Sequence, residues 1–176
     1  GIEPGFVLDH LPLVLATQSS TIRSIHACEI GLYDDYPVAD VMMDGMGFGR
    51  PMDFEPFIAL PGAVSAEFAG GIRLIADALG VDVEEIRESV ERAPTGRRLE
   101  VACGTLEAGT CGAVRFKAAG VVDGREVIAI EHVTRMARDV APDWPTSEHG
   151  VGYKVEIDGE PSIHLDLACG LDDAAA

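Results

Sequence analysis

An acid and an imidazole stand together near the head of this chain, in Pro4-Gly5-Phe6-Val7-Leu8-Asp9-His10. A carboxylate beside an imidazole can share a proton or hold a polar ligand, and Phe6 adds an apolar surface next to them. A second group of chemistry-bearing residues is Asp139-Val140-Ala141-Pro142-Asp143-Trp144-Pro145, which carries the only tryptophan. A lone Trp in a proline-rich loop anchors packing or walls a ligand pocket. His164 and Asp166 lie two apart in an alternating stretch, so they share one strand face and can pair. An exposed pair of that kind contributes little. Cys28, Cys103, Cys111 and Cys169 form no C-x-x-C motif. A zinc site made of Cys103 and Cys111 with His132 or His149 matches no common ligand spacing, so the thiols are expected to be reduced and mostly buried.

Other signatures are weaker. Ser65 lacks the flanking glycines of a nucleophile elbow. Asp34-Asp35 and Glu84-Glu85 are adjacent pairs and read as solvated surface. The run Gly45-Met46-Gly47-Phe48-Gly49-Arg50 has G-x-G-x-G spacing, follows a helical stretch and precedes Pro51, Pro56 and Pro61. A dinucleotide fingerprint needs a strand before the glycines and a helix after them, so a helix stop leading into a loop is the better reading.

The elements that must position these residues follow from periodicity. Residues 4–18 read as a helix with Val7, Leu11, Val14 and Leu15 on one face and Pro12 as a kink or first-turn boundary. Thr21 to Tyr33 reads as a strand and Pro37 to Met46 as a short helix. Gly62 to Leu79 is the strongest helix, with Val64, Phe68, Ile72, Ile75 and Leu79 in one stripe and Gly80 as its stop. Gly70 and Gly71 inside it imply a close approach by another backbone. Asp82-Val83-Glu84-Glu85 resembles a capping box opening a further helix to Ala93. The pattern then changes to period two. Two hairpins are expected: residues 113–122 and 127–136 joined at Asp123-Gly124, and residues 151–157 and 163–167 turning at Asp158-Gly159. The fold class is therefore α+β, an antiparallel sheet of four or more strands with helices packed on one face. Arg115, Lys117, Glu131, Lys154, Glu156, His164 and Asp166 fall on the other, which is wet or meets a polar partner.

At 176 residues with 47% apolar content, the chain can bury a sizeable core. Its net charge of −17 disfavours nucleic acid and anionic lipid as partners. No apolar run approaches the ~20 residues that span a bilayer, and no signal-peptide pattern occurs. A cytoplasmic location fits reduced thiols. The chain has no initiator Met, and a helical stretch reads as opening at Gly170-Leu171-Asp172-Asp173, so residues 1–176 are expected to form a single domain taken from a longer polypeptide.

The Pro4-Gly5-Phe6 opening, read with Ile130-Glu131-His132-Val133-Thr134-Arg135-Met136 and Ala141-Pro142-Asp143-Trp144-Pro145, resembles a known family. It is similar to the C-terminal domain of dihydrodipicolinate reductase-like oxidoreductases, which include 2,4-diaminopentanoate dehydrogenases and native amine dehydrogenases. The similarity covers nearly the whole chain in element order. The resemblance implies a preceding Rossmann domain in cis that binds NAD(P), no cofactor bound by this fragment alone, a small-molecule substrate, and homo-oligomerisation through the sheet. It implies hydride transfer between a nicotinamide and an amine, carbonyl or imine carbon. The family's catalytic acid belongs to the nucleotide domain, so no catalytic residue is assigned here. Phe6 and Asp9, in the matched opening, are expected near the substrate, and helix facing adds Leu13 and Met43. Glu3 stands where the family has Asn, exchanging a group that donates and accepts for one that only accepts.

The leading expectation is thus a substrate-binding and dimerisation domain of an NAD(P)-dependent oxidoreductase acting on amines or imines. The alternative is a non-catalytic α+β module for self-association or small-ligand binding.

Overall fold

The computed structural model describes residues 2–148 and 150–169. Its centre is a six-stranded sheet. β1 (Thr21–Leu32), β2 (Glu85–Pro94), β5 (Cys111–Val122), β6 (Arg125–Arg135), β7 (Val151–Glu160) and β8 (Ile163–Cys169) lie in the order β2-β5-β6-β1-β7-β8. β3 (Leu99–Val101) and β4 (Gly104–Leu106) form a small separate hairpin. The expected α+β architecture holds, and the sheet is antiparallel except at one seam. β1 enters between the two hairpins and runs parallel to β6, with Ile25 opposite Ile128 and Leu32 opposite Arg135. A strand joined to neither neighbour by a tight turn is free to pair in that direction.

Residue alternation splits the sheet into two faces. One carries Phe116, Ala118, Ile128, Ile130, Ala27, Val155 and Ile157, all buried. The helix α2 (Ala63–Leu79) lies over it and buries Val64, Phe68, Ile72 and Ile75, as its stripe predicts. Phe68 stacks on Phe116 with ring centroids 5.7 Å apart. A β-carbon at Gly120 would collide with Ile72 and Val83, so that glycine lets the helix sit close. At α2's start Gly62 has no side chain to cap with, and the Glu88 carboxylate on β2 accepts hydrogen bonds from the backbone N–H groups of Gly62 and Ser65. A negative charge there suits the helix dipole. Partial burial pushes the Glu88 carboxyl up, but hydrogen bonding by the Ser65 side chain and by these backbone groups outweighs it and holds the group below its ordinary value. Gly80, at φ 66°, ends the helix as expected.

Four expectations change. Residues 85–93 are not a helix but β2, an edge strand paired with β5. Ile86 and Val90 fit a helical step of four, yet Ile86, Glu88, Val90 and Arg92 also fit a step of two, and pairing with β5 decides between them. The capping-box reading of residues 82–85 falls with it. The turn at Asp158-Gly159 also moves. Gly159 lies inside β7 opposite Ile22, and the chain reverses at Pro161-Ser162 after a cis Glu160–Pro161 peptide. A β-carbon at Gly159 would strike the Thr21 carbonyl oxygen, so the glycine serves a close strand approach rather than a turn. Finally, what approaches Gly71 is the Asp9 side chain together with Ile130, not a backbone, and Gly70 faces open space.

Other expectations hold. Asp123 and Gly124 have φ of 51° and 75°, the left-handed pair of a two-residue hairpin turn. The opening is helical in two segments, a π-wound Ile2–His10 and α1 (Leu11–Ala16), with Pro12 in the first turn of the latter. Asp40–Gly45 is a short π-wound helix inside the expected span. Among the described residues no helix is long and apolar enough to cross a membrane. The side chains of Glu3 and Cys169, His149, and the helical stretch expected from Gly170 lie outside the described residues.

Candidate functional site

Clefts flank the sheet on both faces. On the helix-covered face a cleft of about 390 Å³ opens near the start of α2, walled by Tyr33, Met42, Met46, Phe116, His132 and Thr134 among others. Its floor is a row across the sheet in which Phe116 of β5 stands opposite His132 of β6, and His132 opposite Glu29 of β1. The two methionines and Ile58 come from the segment after β1. That segment is pinned to the sheet by Arg92, whose guanidinium donates to the Met52 carbonyl. Phe48 is fully buried and Gly49 packs on Leu106, so the Gly45–Arg50 stretch serves packing and offers no phosphate cradle.

The polar part of this cleft is concentrated at one edge. Tyr33 lies at the end of β1 and folds back over Gly31, where any β-carbon would collide with its ring. In that position its hydroxyl donates to Glu29 Oε1 at 2.6 Å. Glu29 is 2% exposed. His132 Nε2 stands 3.8 Å from the same carboxylate oxygen and 2.8 Å from Thr134 Oγ1. The imidazole is also held by aromatic neighbours, with Phe116 at 4.9 Å and Tyr33 at 6.0 Å between ring centroids. Glu67 of α2 is exposed at the rim. The arrangement suits a small ligand with an apolar body and one polar end that exchanges hydrogen bonds.

On the open face a second cleft, of about 440 Å³, lies between the sheet and the loop after β6. The loop is tied down by Arg135, whose buried guanidinium donates to the carbonyls of Val140, Ala141 and Pro145. Burial holds that guanidinium below its ordinary range. Trp144, on the loop, packs against Cys28, Ile30 and Val133. At the cleft floor Glu131 is 1% exposed and is bonded by Arg115 Nε and, at 2.8 Å, by His26 Nε2. Burial pushes the Glu131 carboxyl up, and the His26 and Arg115 hydrogen bonds outweigh it, so it sits below its ordinary value. Cys28 is buried beside it, and burial followed by the Glu131 charge pushes its thiol far up. Such a thiol is not a nucleophile. Burial likewise raises Cys111, to about 11.

The residues singled out from sequence are dispersed. Phe6 is 56% exposed on the opening helix. Asp9 is half-buried against Gly71 of α2. Leu13 packs from α1 onto the edge of the core. Met43 points its methyl group at Gly104, between its neighbours Met42 and Met46 in sequence but away from the cleft they line. None of the four lines the helix-side cleft. His164 and Asp166 do not pair with each other. They face Glu156 and Lys154 across the β7–β8 ladder. Among the described residues no three His, Cys, Asp or Glu side chains converge on a metal site, and His149 lies outside them. Glu29, Tyr33 and Thr134 were not singled out. The signal for Glu29 was a lone carboxylate inside the apolar run Ala27-Cys28-Glu29-Ile30.

The family described as 2,4-diaminopentanoate dehydrogenase C-terminal domain matches residues 6–173. An amine dehydrogenase from Streptomyces virginiae is 39% identical over 170 residues, which is 95% of this chain and 47% of the relative. The chain therefore spans about half the length of that curated relative. The solved structure of an amine dehydrogenase from Mycobacterium smegmatis matches with a TM-score of 0.67 at 15% identity, over 92% of this chain and 46% of its own, a likeness of fold. On sequence and on architecture together, this chain belongs to the 2,4-diaminopentanoate dehydrogenase C-terminal domain family.

Proposed function

We propose that this chain forms the substrate-binding part of an NAD(P)-dependent oxidoreductase that interconverts an amine with a carbonyl or imine. The observation that carries this reading is the helix-side cleft, apolar over most of its wall and polar at the His132–Thr134 edge. The family match and the chain's 47% coverage of the curated relative support placing the cofactor on a Rossmann unit elsewhere in the polypeptide. Nicotinamide, when bound there, supplies or takes up the hydride. The part left to this chain is to hold the substrate's apolar body against Phe116, Met42 and Met46, to fix its polar end at Thr134 and Tyr33, and to keep water from the reacting carbon. Phe6, Asp9, Leu13 and Met43, which do not line this cleft, would meet only a substrate that extends beyond it. The open face, with its ranks of paired charges, would serve self-association. Buried thiols fit a cytoplasmic protein.

The test uses the full-length protein. Amine-dependent reduction of NAD or NADP should appear, and Met46→Trp, which fills the cleft, should raise KM at least about tenfold. Residues 1–176 alone should bind no NADPH. Kinetics unchanged in Met46→Trp, Phe6→Ala and Asp9→Ala would favour a non-catalytic module instead.

A further inference from the structure

We propose that the helix-side cleft takes an amine carrying a second cationic group, and that Glu67 at the rim holds that group. The substrate class is thus a short diamine without a carboxylate. The inference rests on the reading that this cleft holds the reacting substrate.

Glu67 lies just past the first turn of α2 and is exposed at the cleft rim. The ordinary duties of a helical carboxylate do not fall to it. The helix start is already answered by Glu88, which accepts from the N–H groups of Gly62 and Ser65, and the helix dipole fades beyond its first turn. A cation three or four positions away would neutralise it along the helix, but those positions are Ala63, Val64, Gly70 and Gly71. Among the described residues no Lys, Arg or His pairs with it.

The space beside it is open as well. Gly70 shares the helix face of Glu67, and a β-carbon there meets nothing. Helical side chains lean toward the N-terminus, so a larger residue at 70 would lie over the Glu67 carboxylate. Glycine weakens a helix interior, and among the described residues no close packing at Gly70 offsets that. What the glycine does provide is access to the carboxylate.

The rest of the lining decides which charge the cleft accepts. Phe116, Met42, Met46 and Ile58 give it an apolar body, and among the described residues no Lys or Arg lines it. A carboxylate entering there would lose water, find no guanidinium or ammonium to replace it, and face Glu67. An ammonium would instead be drawn by Glu67 and by the chain's net charge of −17. With the reacting amine at the Thr134 edge, a second ammonium a few carbons away reaches the rim, and a cleft of about 390 Å³ has room for the chain between them. The rim is wet, so the attraction is screened and the preference is modest.

The test compares 1,4-diaminobutane with 1-aminobutane on the full-length protein, first by calorimetric binding, which needs no turnover. The diamine should bind about fivefold tighter, beyond the factor of about two that its two equivalent ends supply, and the margin should shrink between about 50 and about 500 mM salt. Glu67→Gln, of the same size, should abolish the preference without lowering the melting temperature. Gly70→Leu, which favours the helix, should reduce it by covering the carboxylate. A preference unchanged in Glu67→Gln, or none in the unmodified protein, overturns the proposal. Steady-state kinetics then separate it from the reading beneath. Oxidation of both amines at equal kcat/KM would keep the oxidoreductase and sink the diamine. Preferential binding of the diamine, lost in Glu67→Gln, with no reduction of NAD or NADP would keep Glu67 as the cation anchor and sink the oxidoreductase.

Discussion

Among the described residues each face of the sheet buries one carboxylate, and the two faces treat it differently. Glu131, on the open face, is answered by the Arg115 guanidinium and the His26 ring. Glu29, on the helix side, works with a phenol and an imidazole. A guanidinium neutralises a carboxylate and consumes its lone pairs in rigid bonds, so the open-face cluster is a closed electrostatic unit. A phenol and an imidazole leave protons that can be arranged. The comparison teaches that burial alone does not mark a site. What surrounds the buried charge decides whether it is locked into an ion-pair cluster or set among aromatic and hydroxyl groups.

The comparison can be broken most forcefully at Glu131. Glu131→Ala leaves Arg115 and His26 without their buried partner and should cost about 3 kcal/mol of stability, measured by chemical denaturation. The same carboxyl supplies a pH signature. Its folded pKa lies below the ordinary value of 4.5, so its contribution is complete above that value and is lost as pH falls through the folded one. The acid limb of the stability curve should therefore flatten in Glu131→Gln. Next comes Gly31→Ala. Its β-carbon must displace the Tyr33 ring, so a loss of about 2 kcal/mol and a distorted cleft are expected, seen as a lower melting temperature and a raised KM in the full-length protein. Thr134→Val keeps the shape and removes the hydroxyl from His132. It should cost about 1 kcal/mol while disturbing substrate affinity more than stability. At the small end stands Arg97→Ala. The Arg97–Asp139 pair is exposed on both sides, and its removal should change the melting temperature within error. If Glu131 variants altered substrate kinetics as strongly as Thr134→Val, the division between the faces would fail.

Much of this fold was legible in the chain. The α2 stripe, the Asp123-Gly124 turn and the alternation of β5 and β6 are local patterns, and each is satisfied by contacts the pattern itself implies. Residues 85–93 were not legible, because Ile86 and Val90 serve a helix or a strand equally and only β5, some thirty positions later, breaks the tie. Asp158-Gly159 carried a turn signature but is used for its lack of bulk against Thr21. The candidate site was harder. His132 and Thr134 fall within the stretch that carries the family resemblance, but Glu29 stands beside them only across a non-local parallel seam. Spacing along the chain cannot announce a partner about a hundred positions away.

That seam also governs how the molecule must come together. The hairpin β5–β6 and the hairpin β7–β8 each close on themselves through short connections, yet neither hydrogen-bonds the other. They are two loose ribbons until Thr21–Leu32 slots between them as a keystone. This strand precedes both hairpins in the chain, so it cannot pair with either until they have been synthesised. An apolar segment left waiting in that way is the natural point for chaperone capture or misassembly.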